Sequence, residues 1–275
     1  MRSLRRLGRN RQGVVGGVLL ALLIVGAVLA PAIAPRNPVT ANLAFVAQPP
    51  GGQYALGTDS LGRDILSRLI HGARVSLTVG LIAVGIGAGV GVLLGLVSGY
   101  LGGLVDELIM RLMDILLAFP SIILAIAIVA ALGPSLRNTM IAVGVVLIPS
   151  YARLVRGATL TIKEMGYVEA VRCLGASTVR VIARHVLPNT LAVIVVQASL
   201  DVGGAILSEA ALSFLGLGAQ PPTPSWGSML NDGRAFLYTA PHIATFPGIA
   251  IMLAVLACNL LGDALRDALD PYLPD

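Results

Sequence analysis

The sequence predicts an all-α integral membrane protein with six transmembrane helices. Three observations carry this. Of 275 residues, 56% are apolar and only 12% are charged, whereas soluble domains carry about 25% charged residues. Mean hydropathy is +0.87. Six stretches approach the roughly 20 apolar residues that a helix needs to cross a bilayer. With so few charges the chain cannot clothe its surface for water, so lipid is its solvent.

The first span is Val14–Ala34, which carries no charge. Arg5-Arg6 before it and Ala32-Ile33-Ala34 at its end imitate an export signal and a cleavage site. The apolar run exceeds the roughly 7–15 residues of such a signal, and Pro35 would follow the cut, so a retained helix is expected. Val75–Tyr100 is the second span, also uncharged. Leu112–Leu132 is the third, with Asp114 near its start and an expected i, i+3 pair to Arg111. Asn138–Tyr151 is the fourth, short and ending near Pro149. Thr190–Leu212 is the fifth and contains Asp201 and Glu209. Ile243–Leu261 is the sixth.

The organisation expected from these spans is a basic N-terminal segment 1–13, a first helix 14–34, and an outer loop 35–74. A five-helix core 75–262 follows, with an inner loop 152–189 and an outer loop 213–242. A tail 263–275 closes the chain. The formal charge of +5 does not indicate nucleic acid, because the basic residues flank the membrane. With the N-terminus inside, thirteen of the nineteen Lys and Arg fall on inner segments and six on outer ones. The positive-inside rule then places both termini in the cytoplasm.

Several residue patterns bear on function. Gly87, Gly91, Gly95 and Gly99, with Ala83 one step earlier, share one face of the second span. Small residues at this spacing let two helices approach closely in lipid. They serve either static packing or a sliding surface. Asp201 lies near the middle of the fifth span, where a carboxylate costs roughly 2.5–3.5 kcal/mol on insertion scales. It either lines a substrate path or anchors helices by hydrogen bonds. Glu209 stands near the end of the same span, with the anchor reading the stronger. Asp59 to Asp64 lacks the twelve-residue ligand pattern of a calcium loop, and turn and cap chemistry accounts for Thr58, Asp59 and Gly62. Cys173 and Cys258 form no metal or disulfide framework. His71, His185 and His242 have no ligand spacing. No metal and no cofactor are expected.

The inner loop is the most informative stretch. It runs from Glu164 through Glu169-Ala170-Val171, Gly175, Ser177, Arg184-His185 and Leu187-Pro188. A short helix to about Leu174 is expected, ended by Gly175 in a C-cap. Ser177 would cap a second helix, and Pro188 would break the chain before the fifth span. The pattern resembles the Glu-Ala-Ala, three residues, Gly, nine residues, Ile, one residue, Leu-Pro signature of permease subunits of ABC importers. Val171 replaces the second Ala and His185 replaces Ile. Two outer stretches, Leu56–Arg68 and Glu209–Gly227, and the closing Asn259–Pro271 resemble the C-type permease of dipeptide, oligopeptide and nickel importers.

The resemblance covers nearly all the chain after about residue 50. It implies a type I permease fold and an inner loop that couples to an ATPase through Glu169, Ala170, Val171, Gly175, Leu187 and Pro188. The implied partners are a second permease subunit, two ATPase subunits and an extracytoplasmic substrate-binding protein, within membrane lipid. The chain is expected not to be an enzyme: a phosphate-gripping loop needs Gly-Lys-Ser/Thr, and the only lysine, Lys163, follows Ile162. A secondary transporter would need a coupling-ion site and internal repeats, for which Asp201 alone is thin support. An intramembrane enzyme would need a catalytic constellation, and none is present. Among relatives the cargo ranges over dipeptides, oligopeptides, nickel chelates and haem-like ligands.

Overall fold

A computed structural model describes residues 10–269. Arg5-Arg6, Asp270 and Pro271 lie outside the described residues. Helix α1, Arg11–Val28, starts at an Asn10 cap whose side chain accepts from the Gln12 and Gly13 amides. The first segment does not run straight to Ala34. It bends at Leu29 into a single turn, α2, Ala30–Ile33, because Pro31 sits in the first turn of a new helix.

Helix α3, Ile65–Leu101, has 37 residues and begins ten residues before the expected Val75. Asp64 caps it, accepting from the Ser67 amide at 2.8 Å. At a rise of about 1.5 Å per residue, α3 is about 55 Å long. This exceeds a hydrocarbon core of about 30 Å, so α3 is longer than a straight crossing requires.

The third segment is not one continuous helix. α4, Gly103–Leu117, and α5, Ser121–Leu132, meet at a bend of 91°. Pro120 explains the break. It offers no amide hydrogen and pushes Phe119 away from helical geometry. The expected Arg111–Asp114 pair is absent; Asp114 instead pairs with Arg153, 2.5 Å away, and both are about half exposed. The start of α4 is tied down by Asp106. Its carboxylate takes both arms of the Arg156 guanidinium, at 2.6 Å each, and the hydroxyl of Ser98.

Helix α6, Leu136–Lys163, contains Pro149 and continues three turns past Tyr151. The proline does not end it. In lipid a mid-helix proline is tolerated where neighbouring helices shield the freed carbonyl. Two short helices follow, α7, Gly166–Cys173, and α8, Thr178–Val181. A π turn, Ile182–Val186, then leads without interruption into α9, Leu187–Phe214. Pro188 therefore makes no break. It occupies the first turn of α9, and the Leu187 amide bonds to the Ile182 carbonyl instead. The π turn contains His185, at the place where the family pattern has Ile.

Beyond α9 lie α10, Trp226–Gly233, with a Ser225/Ser228 capping box, and α11, His242–Leu269, with Pro247 inside. Among the described residues five helices are long and apolar enough to cross a membrane, or six spans if the bent pair α4 and α5 counts as one. α1 begins and α11 ends on one face, where the Asn10 amide reaches the Asp267 carboxylate at 3.3 Å. This terminal face also carries α7 and α8. The 34–64 and 215–241 segments occupy the opposite face.

The core is built around α3, which packs most extensively against α6. Gly87, Gly91, Gly95 and Gly99 all face α6, and a Cβ on any of them would come within 2.5–2.8 Å of an α6 atom. α6 answers with Gly144, which faces Ile86. The outer sides of α1, α3 and α9 expose Val18, Leu22, Leu81, Leu93 and Leu207. Apolar surface on this scale would be a liability in water and is the ordinary lining of a lipid contact.

Candidate functional site

Three places on the chain concentrate chemistry. The first is the turn on the terminal face between α6 and α8. Val168, Val181 and Val186 are buried beneath it against Leu96, Val155 and Ile162. That apolar underside fixes the turn to the ends of α3 and α6. Glu169, Ala170, Arg172 and Cys173 point outward and are exposed, and Val171 is half-buried. Gly175 ends α7 with φ +82°. Its amide bonds to the Arg172 carbonyl and the Ala176 amide to the Val171 carbonyl, the paired bonds of a Schellman cap. A side chain at Gly175 would meet no neighbour, so the backbone angle, not close approach, requires glycine there. Ser177 holds the cap position of α8, but its side chain makes no cap bond. Leu187 and Pro188 lie further along, at the base of α9, with Leu187 half-buried and Pro188 exposed.

Sequence reasoning missed two residues of this surface. Leu174 is 87% exposed and Val179 75% exposed, on either side of the Gly175 turn. The available signal was that both are apolar yet fall off the stripe formed by Val168, Val181 and Val186. Among the described residues Glu169 has no ion-pair partner. The patch thus offers an unpaired carboxylate beside two exposed apolar side chains, a composition suited to docking another protein.

The second place is a cavity of about 160 Å³ between α5, α6 and α9, lined by Ser121, Ala125, Leu147, Asp201, Gly204 and Ser208 among others. Both Asp201 oxygens accept from the Gln197 amide at 3.1 Å. The structure separates Glu209 from this cavity. Its side chain has no exposed area. The Ser213 hydroxyl donates to it at 2.6 Å and the Ser76 hydroxyl of α3 at 3.4 Å. Of the two carboxylates expected along a path, only Asp201 opens on a cavity. Glu209 is a sealed hydrogen-bond anchor between α9 and α3.

The third place is the opposite face. Asp59 accepts from the Leu61 and Arg63 amides at 2.9 Å. Its carboxylate also pairs with Arg63 at 2.7 Å and lies 3.2 Å from Arg68, while Asp232 of α10 lies 3.0 Å and 3.6 Å from the same two guanidiniums. Arg63 and Arg68 are buried. Burial pushes the Asp232 carboxyl above its ordinary range, and the two arginines only partly offset this. The network joins the loop before α3 to α10. Trp226, 1% exposed, adds a bond from its indole N–H to the Leu69 carbonyl at 2.9 Å. The 34–64 and 215–241 segments are therefore joined into one cap, held by charges that each have a partner.

Residues 91–273 match the family described as binding-protein-dependent transport system inner membrane component. Residues 1–50 match the N-terminal TM domain of oligopeptide transport permease C, which includes α1. The chain is 51% identical over 270 residues to a glutathione transport system permease protein, GsiD, of Escherichia coli O6:K15:H31 (strain 536). It is 52% identical over 270 residues to that of Shigella flexneri serotype 5b (strain 8401). Each alignment covers 98% of this chain and 89% of the relative. Among solved structures, the inward-facing MetNI methionine ABC transporter superposes with TM-score 0.60 at 20% identity, covering 74% of this chain and 96% of that one, a likeness of fold. By the family match and by identity along nearly its whole length, the chain belongs to the binding-protein-dependent transport system inner membrane components, the multi-pass permease subunits of ABC importers, for which partner ATPases hydrolyse the ATP.

Proposed function

We propose that this subunit forms half of a translocation path for small peptides and peptide-like solutes, delivered by an extracytoplasmic binding protein. The observation that carries the reading is the 51–52% identity to glutathione transport permeases over 98% of the chain. Glutathione and short peptides share an amino end, amide bonds and a terminal carboxylate, so one path can serve both. The test is uptake of labelled glutathione and labelled dipeptides into vesicles holding this chain, its partner permease, two ATPase subunits and the binding protein. ATP-dependent uptake of at least one is expected. Uptake that persists without the ATPases, driven by an ion gradient, would overturn the reading in favour of a secondary transporter.

Within this reading, Glu169, Ala170, Val171 and Gly175, with the base of α9 at Leu187 and Pro188, form the surface that docks in an ATPase subunit. The cap on the opposite face receives the binding protein. Asp201 lines the path. The Gly87–Gly99 seam packs α3 on α6 as a fixed unit.

Both termini are cytoplasmic in this reading, on the distribution of Lys and Arg. Cys173 is exposed on the terminal face and reports on it directly. In cells lacking the ATPase subunits, an impermeant thiol reagent should label Cys173 only after the membrane is opened. Labelling of Cys173 in intact cells would invert the topology.

A further inference from the structure

The Asp201 carboxylate has an unmet need. An ionised carboxylate offers about four acceptor sites, and among the described residues the Gln197 amide alone donates to it with ordinary geometry. Among the described residues no Lys, Arg or His lies within ion-pair distance of it. The Tyr151 side chain is fully buried. Its hydroxyl lies beside Asp201 yet makes no hydrogen bond of ordinary geometry. Two hydroxyl-bearing residues, Ser121 from α5 and Ser208 from α9, line the same cavity, and the rest of its wall is apolar or glycine.

We infer that this cavity is a subsite for a primary ammonium group, the amino end of the cargo in transit. The inference rests on the peptide-like cargo reading and adds the group that is recognised. A carboxylate at membrane depth is stabilised by a cation that can approach closely. An ammonium brings one charge and three donors. One donor meets the free lone pairs of Asp201, and the Ser121 and Ser208 oxygens that line the cavity are available to the others. At about 160 Å³ the cavity receives the amino end and the first backbone atoms of a peptide, while the rest of the cargo lies in the path formed with the partner permease. Gln197 holds Asp201 by a neutral amide, which orients the carboxylate without cancelling its charge. The subsite binds weakly enough to release the cargo because it offers a single charge.

Charge-selective labelling tests the subsite without reference to any cargo. Ser208→Cys is placed in a chain carrying Cys173→Ser and Cys258→Ser, and the assembled importer is reconstituted in vesicles. The rates of modification by a cationic aminoethyl and an anionic sulfonatoethyl methanethiosulfonate are compared and referred to a free thiol in solution. With Asp201 present the cationic reagent is favoured by about tenfold or more, as one nearby charge in a low-dielectric cavity requires. In the Asp201→Asn background the preference falls to within about twofold, and Asp201→Glu restores it. An unchanged preference on Asp201→Asn overturns the subsite, whatever the importer carries. The second measurement is uptake at saturating binding protein. Asp201→Asn slows a cargo with a free amino group about tenfold relative to its des-amino analogue. Equal slowing of both means that Asp201 only anchors helices, and the subsite falls. If the labelling preference is present but neither glutathione nor dipeptides are imported, the cargo reading fails and the ammonium subsite stands.

Discussion

Gly95→Leu is expected to remove the folded subunit from the membrane. A Cβ at Gly95 would lie 2.5 Å from the Ala152 carbonyl oxygen and 2.9 Å from the Val155 Cβ. Neither atom can swing away, because one is backbone and the other is fixed to backbone in the middle of α6. Overpacking in a well-packed core costs about 1–3 kcal/mol. Here the penalty falls on the association itself, since helices in lipid gain little from apolar burial and rely on close packing. α3 and α6 can part only if the seam from Gly87 to Gly99 opens along its length. Gly85 supplies the control. It lies on the same helix, is exposed, and has nothing within 4 Å of where a Cβ would stand. Gly85→Leu should be neutral or gain up to about 1 kcal/mol from helix propensity. The measurement is the yield of monodisperse protein after extraction for the two variants side by side. Equal yields would show that the seam is not what holds the fold.

The seam was legible because small residues recurred at a spacing of four, a period that helical geometry converts directly into a face. What the spacing left open was the partner, and Gly144 on α6 carries that information only once the two helices are laid together. The break at Pro120 was missed for a different reason. Hydropathy averages over a window, and Leu112–Leu132 stays apolar across the proline. Local backbone chemistry, not transfer free energy, decides that bend. The error at α3 ran the other way. Arg68 and Arg74 look like the end of an apolar run, yet Arg68 is buried against Asp59 and the helix continues through it. Charge was counted as exposure, and a buried ion network breaks that equivalence. Pro188 failed as a helix stop because a π turn in the residues before it realigns the backbone bonds, and no composition rule reports a π turn. In the candidate site, Gly175 was readable from its type and place. The difference between Asp201 and Glu209 was not, because it depends on which carboxylate meets a cavity and which meets Ser76 and Ser213 across a helix interface.

Glu169→Lys and Gly175→Leu are expected to uncouple transport from ATP hydrolysis while leaving the subunit assembled. Glu169 is exposed, without an ion-pair partner among the described residues, and projects from a helix whose underside is held by Val168. Reversing its charge leaves the fold of α7 unaltered. At a docking surface it turns attraction into repulsion and slows or misdirects engagement. Gly175 acts through shape. At φ +82° a residue with a Cβ pays roughly 1–2 kcal/mol, enough to shift the Schellman turn and with it the positions of Leu174 and Val179. There is open space around the position, so a residue that tolerates this backbone region should be accepted. Gly175→Asn is therefore expected to keep most activity and Gly175→Leu to lose it. The measurement is cargo imported per ATP hydrolysed in the reconstituted importer, beside the ATPase content of the purified complex. The uncoupled variants should import less than about a tenth as much per ATP, a loss of at least about 1.4 kcal/mol in the coupled step. Glu169→Gln, which removes the charge without reversing it, should fall between. Normal import by both Glu169→Lys and Gly175→Leu in fully assembled complexes would remove the docking role from this turn. The Leu174–Val179 patch would then remain as an exposed apolar surface without an assigned partner.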